Sequence, residues 1–156
     1  MIVRLPRMSQ AEIRKLIGEQ MICRIAFKGE DHPYMAPFQY VYANGHLYFH
    51  FTQYGRKVEL IERDNRVCVE IEKYTPDFSG YSFVVLKGTL EPVTDARERA
   101  EVINVMAREG ARNLSRNFLA AHGLGKEDDW SSLTPERPLV IMKLSKVAEE
   151  MGLKSP

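Results

Sequence analysis

Residues 34–64 read YMAPFQYVYANGHLYFHFTQYGRKVELIERD, and the way this run divides into elements sets the fold. Tyr34, Ala36, Phe38, Tyr40 and Tyr42 alternate, so a strand carries all five on one face. Pro37 has no N–H to donate, so one side of the backbone there is expected to lack a full ladder partner. Asn44-Gly45 supplies the positive φ angles of a type I′ turn, which makes HLYFHF (46–51) the returning strand of an antiparallel hairpin. Val58, Leu60 and Ile61 then give a helix its apolar face, with Asn65 predicted to mark its end. Between strand and helix stand Thr52, Gly55, Arg56 and Lys57.

That corner has two readings. It is a turn followed by a solvated first helical turn, or it is an anion site. A helix N-terminus presents unpaired N–H groups and partial positive charge, and Gly55 lets backbone and ligand approach closely. Arg56 can grip a phosphate through its planar fork and Lys57 adds a mobile point charge. Cations at a helix start are misplaced with respect to the dipole, so two of them need a reason. Phe38, Tyr40, Tyr42, Tyr48, Phe49, Phe51 and Tyr54 gather in the preceding hairpin, as a barrel core or as the wall of a planar, phosphorylated ligand.

Working outward, Ser9 and Glu12 have capping-box spacing, and Ile13, Leu16 and Ile17 complete a short helix over 9–20. MICRIAF is a strand, followed by the turn GEDHP. RVCVEIEKY and GYSFVVLKGTLEPV are two further strands. Pro92 and the Asp95…Glu98 pair open a helix through about Arg108, and residues 111–121 suggest another. A loop holds Trp130, PLVIMKLSKV is the last strand, and residues 146–156 are expected to be a frayed tail. The pattern predicts one domain, mainly β with peripheral helices (α+β), built as a small antiparallel barrel.

The chain has 156 residues, enough for one core, and a formal net charge of +1, which points to neither nucleic acid nor an anionic membrane. No apolar run approaches the roughly 20 residues of a membrane span, and no signal-peptide core opens the chain, so a cytoplasmic protein is expected. Cys23 and Cys68 lie in apolar strands and read as free, buried thiols, with no zinc spacing. GxGxxG and GxxxxGK loops are both absent, which removes the main support for dinucleotide-fold and P-loop readings.

The stretch PYMAPFQYVYANGHLYFHFTQYGRKVELIERDNRVCVEIE (33–72) resembles the FMN-binding split-barrel proteins related to pyridoxamine 5′-phosphate oxidase, nearest the branch of the nitroimidazole-resistance proteins. The likeness is good over residues 9–92 and looser beyond. It implies a six-stranded antiparallel split β-barrel that forms a homodimer with FMN at the subunit interface. By the same resemblance Arg56 and Lys57 would bind the FMN phosphate with help from Thr52 and the Gly55 corner. Ala36, Pro37, Phe38 and Gln39 would line the flavin, largely through backbone, with His50 and Phe51 beside it. Trp130 would cover the flavin from the partner subunit or fill a groove between helices. The oxidase's substrate motifs are not matched: Tyr81-Ser82-Phe83 stands where it uses a glutamine, and no Arg- and His-rich C-terminal segment follows.

The family reading implies an FMN-dependent oxidoreductase or flavin reductase, with NAD(P)H as donor and a small planar acceptor. The alternatives are a non-catalytic FMN carrier or sensor, and a haem- or deazaflavin-binding relative. His50 alternates with Phe49 and Phe51 and is expected to point opposite to them; it is the candidate catalytic acid. His32 and His46 occupy turns and read as solvated, and His122, before Gly123, reads as a helix C-terminal residue complementing the dipole.

Overall fold

A computed structural model describes residues Met1–Pro156. The hairpin is formed by β2 (Tyr34–Ala43) and β3 (His46–Phe51) about Asn44 and Gly45, whose φ angles are 53° and 77°. Both residues therefore supply the left-handed backbone that a tight turn between right-twisted strands requires. The remaining strands are β1 (Ile22–Phe27), β4 (Arg66–Tyr74), β5 (Tyr81–Pro92) and β6 (Val140–Lys154). All pairings are antiparallel, and the order β1-β2-β3-β6-β5-β4 closes a six-stranded barrel.

Alternation decides what fills the barrel. Ala36, Phe38 and Tyr40 of β2 and Leu47, Phe49 and Phe51 of β3 share one buried cluster with Ile25, Val69, Ile71 and Val84. Helix α1 (Gln10–Glu19) starts on a complete Ser9–Glu12 capping box and buries Ile13, Leu16 and Ile17 against the same cluster. The Tyr40 hydroxyl donates to the Ile17 carbonyl at 2.6 Å, tying that helix to β2.

The outer face of the hairpin is covered as well. Helix α3 (Ala96–Asn113) begins at Asp95, whose side chain accepts from the Glu98 N–H, and buries Val102, Ile103 and Met106 against Val41, Tyr48 and Ile141. Two 3₁₀ turns, Arg116–His122 and Trp130–Ser132, complete this second core. The helix runs to Asn113, beyond the predicted Arg108, and the helix expected over 111–121 is instead the end of α3, a break at Leu114 and the first 3₁₀ turn. Helix α2 (Arg56–Arg63) stops at Asp64, one residue before the predicted Asn65, because the Asp64 carboxylate turns to accept from the Arg66 N–H.

The frayed tail is corrected. Residues 146–154 continue β6, and Met151, Gly152, Leu153 and Lys154 pair with Val85, Val84, Phe83 and Ser82. Few apolar residues mark this segment, so its own periodicity is silent. What makes it a strand is the second edge of the long β5, which must find hydrogen-bond partners. Ion pairs Lys87–Glu149 at 2.7 Å and Arg14–Glu150 at 3.1 Å line its polar positions. A register shift between Lys87 and Thr89 bends the pair where Gly88 lies against the Ser145 carbonyl. Cys23 is buried and Cys68 only partly so; both are free.

Candidate functional site

The closed barrel has one short split, where the ladder between β2 and β3 lapses. The β1–β2 ladder runs over Tyr34–Gln39, whereas the β2–β3 ladder covers only Tyr40–Ala43, facing Phe49–His46. The β3-facing side of residues 34–39 and the β2-facing side of His50 and Phe51 therefore have no ladder partner. Pro37 sits in that unpaired stretch, as a residue with one missing donor should. Ala36, Pro37, Phe38, Gln39, His50, Phe51, Thr52, Gly55, Arg56 and Lys57 all stand on the two lips of this split or on the corner above it. Phe38 and Phe51 stack across it with centroids 4.9 Å apart.

Helix α2 starts at the end of the split. Gly55 precedes it at φ 105°, a conformation that a Cβ disfavours, and offers no side-chain cap. The first intrahelical bond runs from Glu59 N–H to the Gly55 carbonyl at 3.3 Å, leaving the N–H groups of Arg56, Lys57 and Val58 without a protein acceptor. The Thr52 hydroxyl donates to the Tyr54 carbonyl at 2.6 Å and so shapes the turn itself. The Arg56 guanidinium lies 5.5 Å from the Tyr34 ring centroid, and Lys57 Nζ lies 4.8 Å from that of Phe38. Arg63, in the last turn of the same helix, is paired with Glu30, and Arg66, at the start of β4, with Asp64. Arg56 and Lys57 have no carboxylate at ion-pair distance. Two cations rest on aromatic faces beside free helix N–H groups, an arrangement that can receive an anion.

Two cavities lie near the split. One, of about 740 Å³, reaches from Phe51 and Thr52 under Val58 and Ile61 to Val140 and Met142. The other, of about 860 Å³, lies between the 28–33 turn and the β4–β5 face and includes Cys68 and Lys87. Only Phe51 and Thr52 of the sequence-predicted site line either cavity.

On the outer side of the split is a polar chain that the sequence did not reveal. His50 and His122 are both buried, 6% and 5% exposed, with their Nδ1 atoms 3.0 Å apart and their rings stacked at 26°. His122 Nε2 is 2.8 Å from Gln39 Oε1, and Gln39 Nε2 donates to the Met106 carbonyl at 3.1 Å. His50 does point opposite to Phe49 and Phe51, into this network. Burial pushes the His50 imidazole down to about 3, aided by the neighbouring His122, Lys57 and Arg99. Burial alone pushes His122 down to about 4. Both rings are thus neutral near neutrality, and His50 is a weak base rather than a stored acid. His122 does end a helical turn, of 3₁₀ type, but its side chain folds inward, where it has a buried acceptor in Gln39. His32 and His46 are exposed, as their turn positions suggest.

Trp130 takes the groove-filling position. It is 8% exposed inside the second core, and its ring packs edge-on to His122 at 5.8 Å. Its other neighbour is Gly110 of α3, where a Cβ would lie 2.2 Å from Trp130 Cζ3. Enclosure by its own chain favours the groove-filling alternative over a cover for a ligand across an interface. The sequence signal for this whole region was Gln39, a polar residue on the β2 face that also carries Val41 and Ala43. An apolar outer face implies a covering helix, and a glutamine under a helix implies a partner.

The family model of pyridoxamine 5′-phosphate oxidase matches residues 9–136, extending well past the stretch where the motifs are readable. No curated protein matches the chain in sequence. Among solved structures, an FAD-binding protein from Mesorhizobium loti aligns with TM-score 0.71 at 19% identity, covering 99% of this chain and 100% of its own. A candidate 5-nitroimidazole antibiotic resistance protein from Bacteroides thetaiotaomicron aligns with TM-score 0.67 at 20% identity over 97% of this chain and 87% of its own. A conserved hypothetical protein from Mycobacterium tuberculosis aligns with TM-score 0.72 at 16% identity, covering 94% and 84%. At these identities the three share the fold alone. The antiparallel split barrel and the family match lead to one conclusion: the chain belongs to the pyridoxamine 5′-phosphate oxidase family.

Proposed function

We propose that this chain binds FMN at the β2–β3 split and works as an FMN-dependent oxidoreductase, a flavin reductase acting on a small planar acceptor. One observation carries the reading. Arg56 and Lys57 lack carboxylate partners and flank the uncapped start of α2, directly above an aromatic strand edge. A phosphomonoester bears about −1.5 to −2 charges near neutrality, which suits two cations and a helix end. The residues present therefore fit the flavin phosphate.

When bound, the isoalloxazine ring supplies the electron chemistry. The protein's part is to anchor and orient. Arg56, Lys57 and the α2 N–H groups hold the charged tail. The unpaired backbone of Ala36–Gln39 offers hydrogen-bond groups to the edge of a planar ring, while Phe38 and Phe51 close the barrel interior behind it. Because the split leaves a strand edge unpaired on one chain, a second copy covers it in a homodimer. NADH or NADPH is the proposed reductant.

The purified protein tests this directly. It should be yellow, or take up FMN in equilibrium dialysis, and anaerobic NADH or NADPH should bleach it. One of the similar structures is an FAD-binding protein, and chromatography of the released nucleotide separates FMN from FAD. A bound flavin that neither nicotinamide reduces would leave a carrier or sensor. A colourless protein with no affinity for FMN would overturn the proposal.

A further inference from the structure

The Gln39–His122–His50 chain has a direction, and it starts from a backbone carbonyl. The Met106 carbonyl can only accept, so the atom of Gln39 facing it at 3.1 Å is the amide nitrogen. Gln39 Oε1 then faces His122 Nε2 at 2.8 Å and must receive a proton, so His122 carries its hydrogen on Nε2. His122 Nδ1 is thereby bare. The 3.0 Å contact between the two Nδ1 atoms requires one hydrogen, and it belongs to His50. A neutral His50 with Nδ1–H has a lone pair on Nε2.

That Nε2 has no hydrogen-bond partner within the protein. Nor is it sealed: the enclosed partnerless polar atoms are Glu70 Oε1, Trp130 Nε1 and Glu150 Oε1. His50 belongs to β3 at the unpaired lip of the split, with Thr52 two residues on and the Lys57 charge near enough to act on it. The geometry is that of an acceptor held by a buried relay and left open at one end.

We propose that His122, backed by Gln39, is a positioning residue that fixes His50 in the Nδ1–H form and presents its Nε2 lone pair to a neutral N–H or O–H donor at the split. This deepens the flavin reading by giving the cleft a specific acceptor. The tautomers themselves do not depend on flavin. The donor is a group on the flavin or on the second molecule that meets it, and the same measurement distinguishes them.

The test is long-range proton–nitrogen correlation on the full chain labelled with nitrogen-15 histidine, at neutral pH and without ligand. The expected spectrum has His50 protonated on Nδ1 and His122 on Nε2. A proton on His50 Nε2, or signals averaged between tautomers, overturns the proposal. In His122→Asn, whose side-chain oxygen can still accept, His50 keeps Nδ1–H; in His122→Leu its signals move toward a tautomer mixture. A fixed Nδ1–H in a folded His122→Leu protein removes His122 from the positioning role, and the wild-type and His122→Asn spectra decide the matter if the leucine variant does not fold. Addition of FMN should then shift the His50 Nε2 signal, naming the flavin as donor. A shift only on adding imidazole, a small N–H donor, names a second molecule, and no shift with either overturns the acceptor role. Failure of FMN to bind at all overturns the flavin reading, while the ligand-free spectrum still decides the tautomers.

Discussion

Gly110 and Trp130 are in face-to-backbone contact: a Cβ built on Gly110 would fall 2.2 Å from Trp130 Cζ3 and 2.4 Å from Cε3. The indole therefore replaces the side chain that α3 lacks at this position, and the second core closes over His122 as a result. Gly110→Ala forces the ring or the helix to move. It should cost about 1–3 kcal/mol as overpacking, read as a lower urea midpoint at unchanged slope. An unaltered midpoint would mean that the indole is not held against the helix.

The proposed anion cradle predicts a loss of ligand without a loss of fold. Arg56→Ala with Lys57→Ala should strip the flavin from the purified protein, each charge-assisted bond contributing about 1.5–3 kcal/mol. The cations rest on aromatic faces and make no ion pair, so the melting temperature of the ligand-free variant should stay near that of the ligand-free wild type. Native flavin content in the double variant would place the phosphate elsewhere.

Acid should weaken the protein before its carboxylates titrate. His50 and His122 are pushed down to about 3 and about 4, whereas an unfolded histidine titrates at about 6.5. Between those values the unfolded chain binds more protons, so stability is full above about pH 6.5 and falls as pH drops toward the folded values. The slope is bounded by about 1.4 kcal/mol per pH unit for each ring. Urea midpoints measured from pH 7 to 5 should show the decline, and His122→Asn should flatten it. A pH-independent midpoint over that range would contradict the burial of both imidazoles.

Removing residues 147–156 should destabilise the barrel and promote association. The deletion frees the β5 edge from Ser82 to Lys87, at on the order of 1 kcal/mol per lost ladder bond. Light scattering and urea unfolding of the truncated chain check this; behaviour like that of the full chain would show that the segment is dispensable.

Local chemistry carried the hairpin. Asn44-Gly45 fixed the turn, the five alternating residues from Tyr34 to Tyr42 fixed which face is interior, and Pro37 marked where pairing must lapse. The Ser9–Glu12 cap and the Gly55-Arg56-Lys57 corner were likewise legible, because caps and turns are made by residues a few positions apart. The candidate site residues converge on the split because two adjacent strands and the following corner carry all of them except Trp130.

What tertiary structure decided is everything set by distant covering. Gln39, His50 and His122 look like surface or rim residues until α3 and the first 3₁₀ turn close over the outer face of the hairpin. Trp130 gained its place from a missing side chain 20 positions earlier, at Gly110. The last strand gained its identity from an edge of β5 and not from its own periodicity. Sequence reports which groups need partners over a few residues. Which distant group answers that need depends on how the barrel closes, and burial then turns an ordinary histidine into a neutral one.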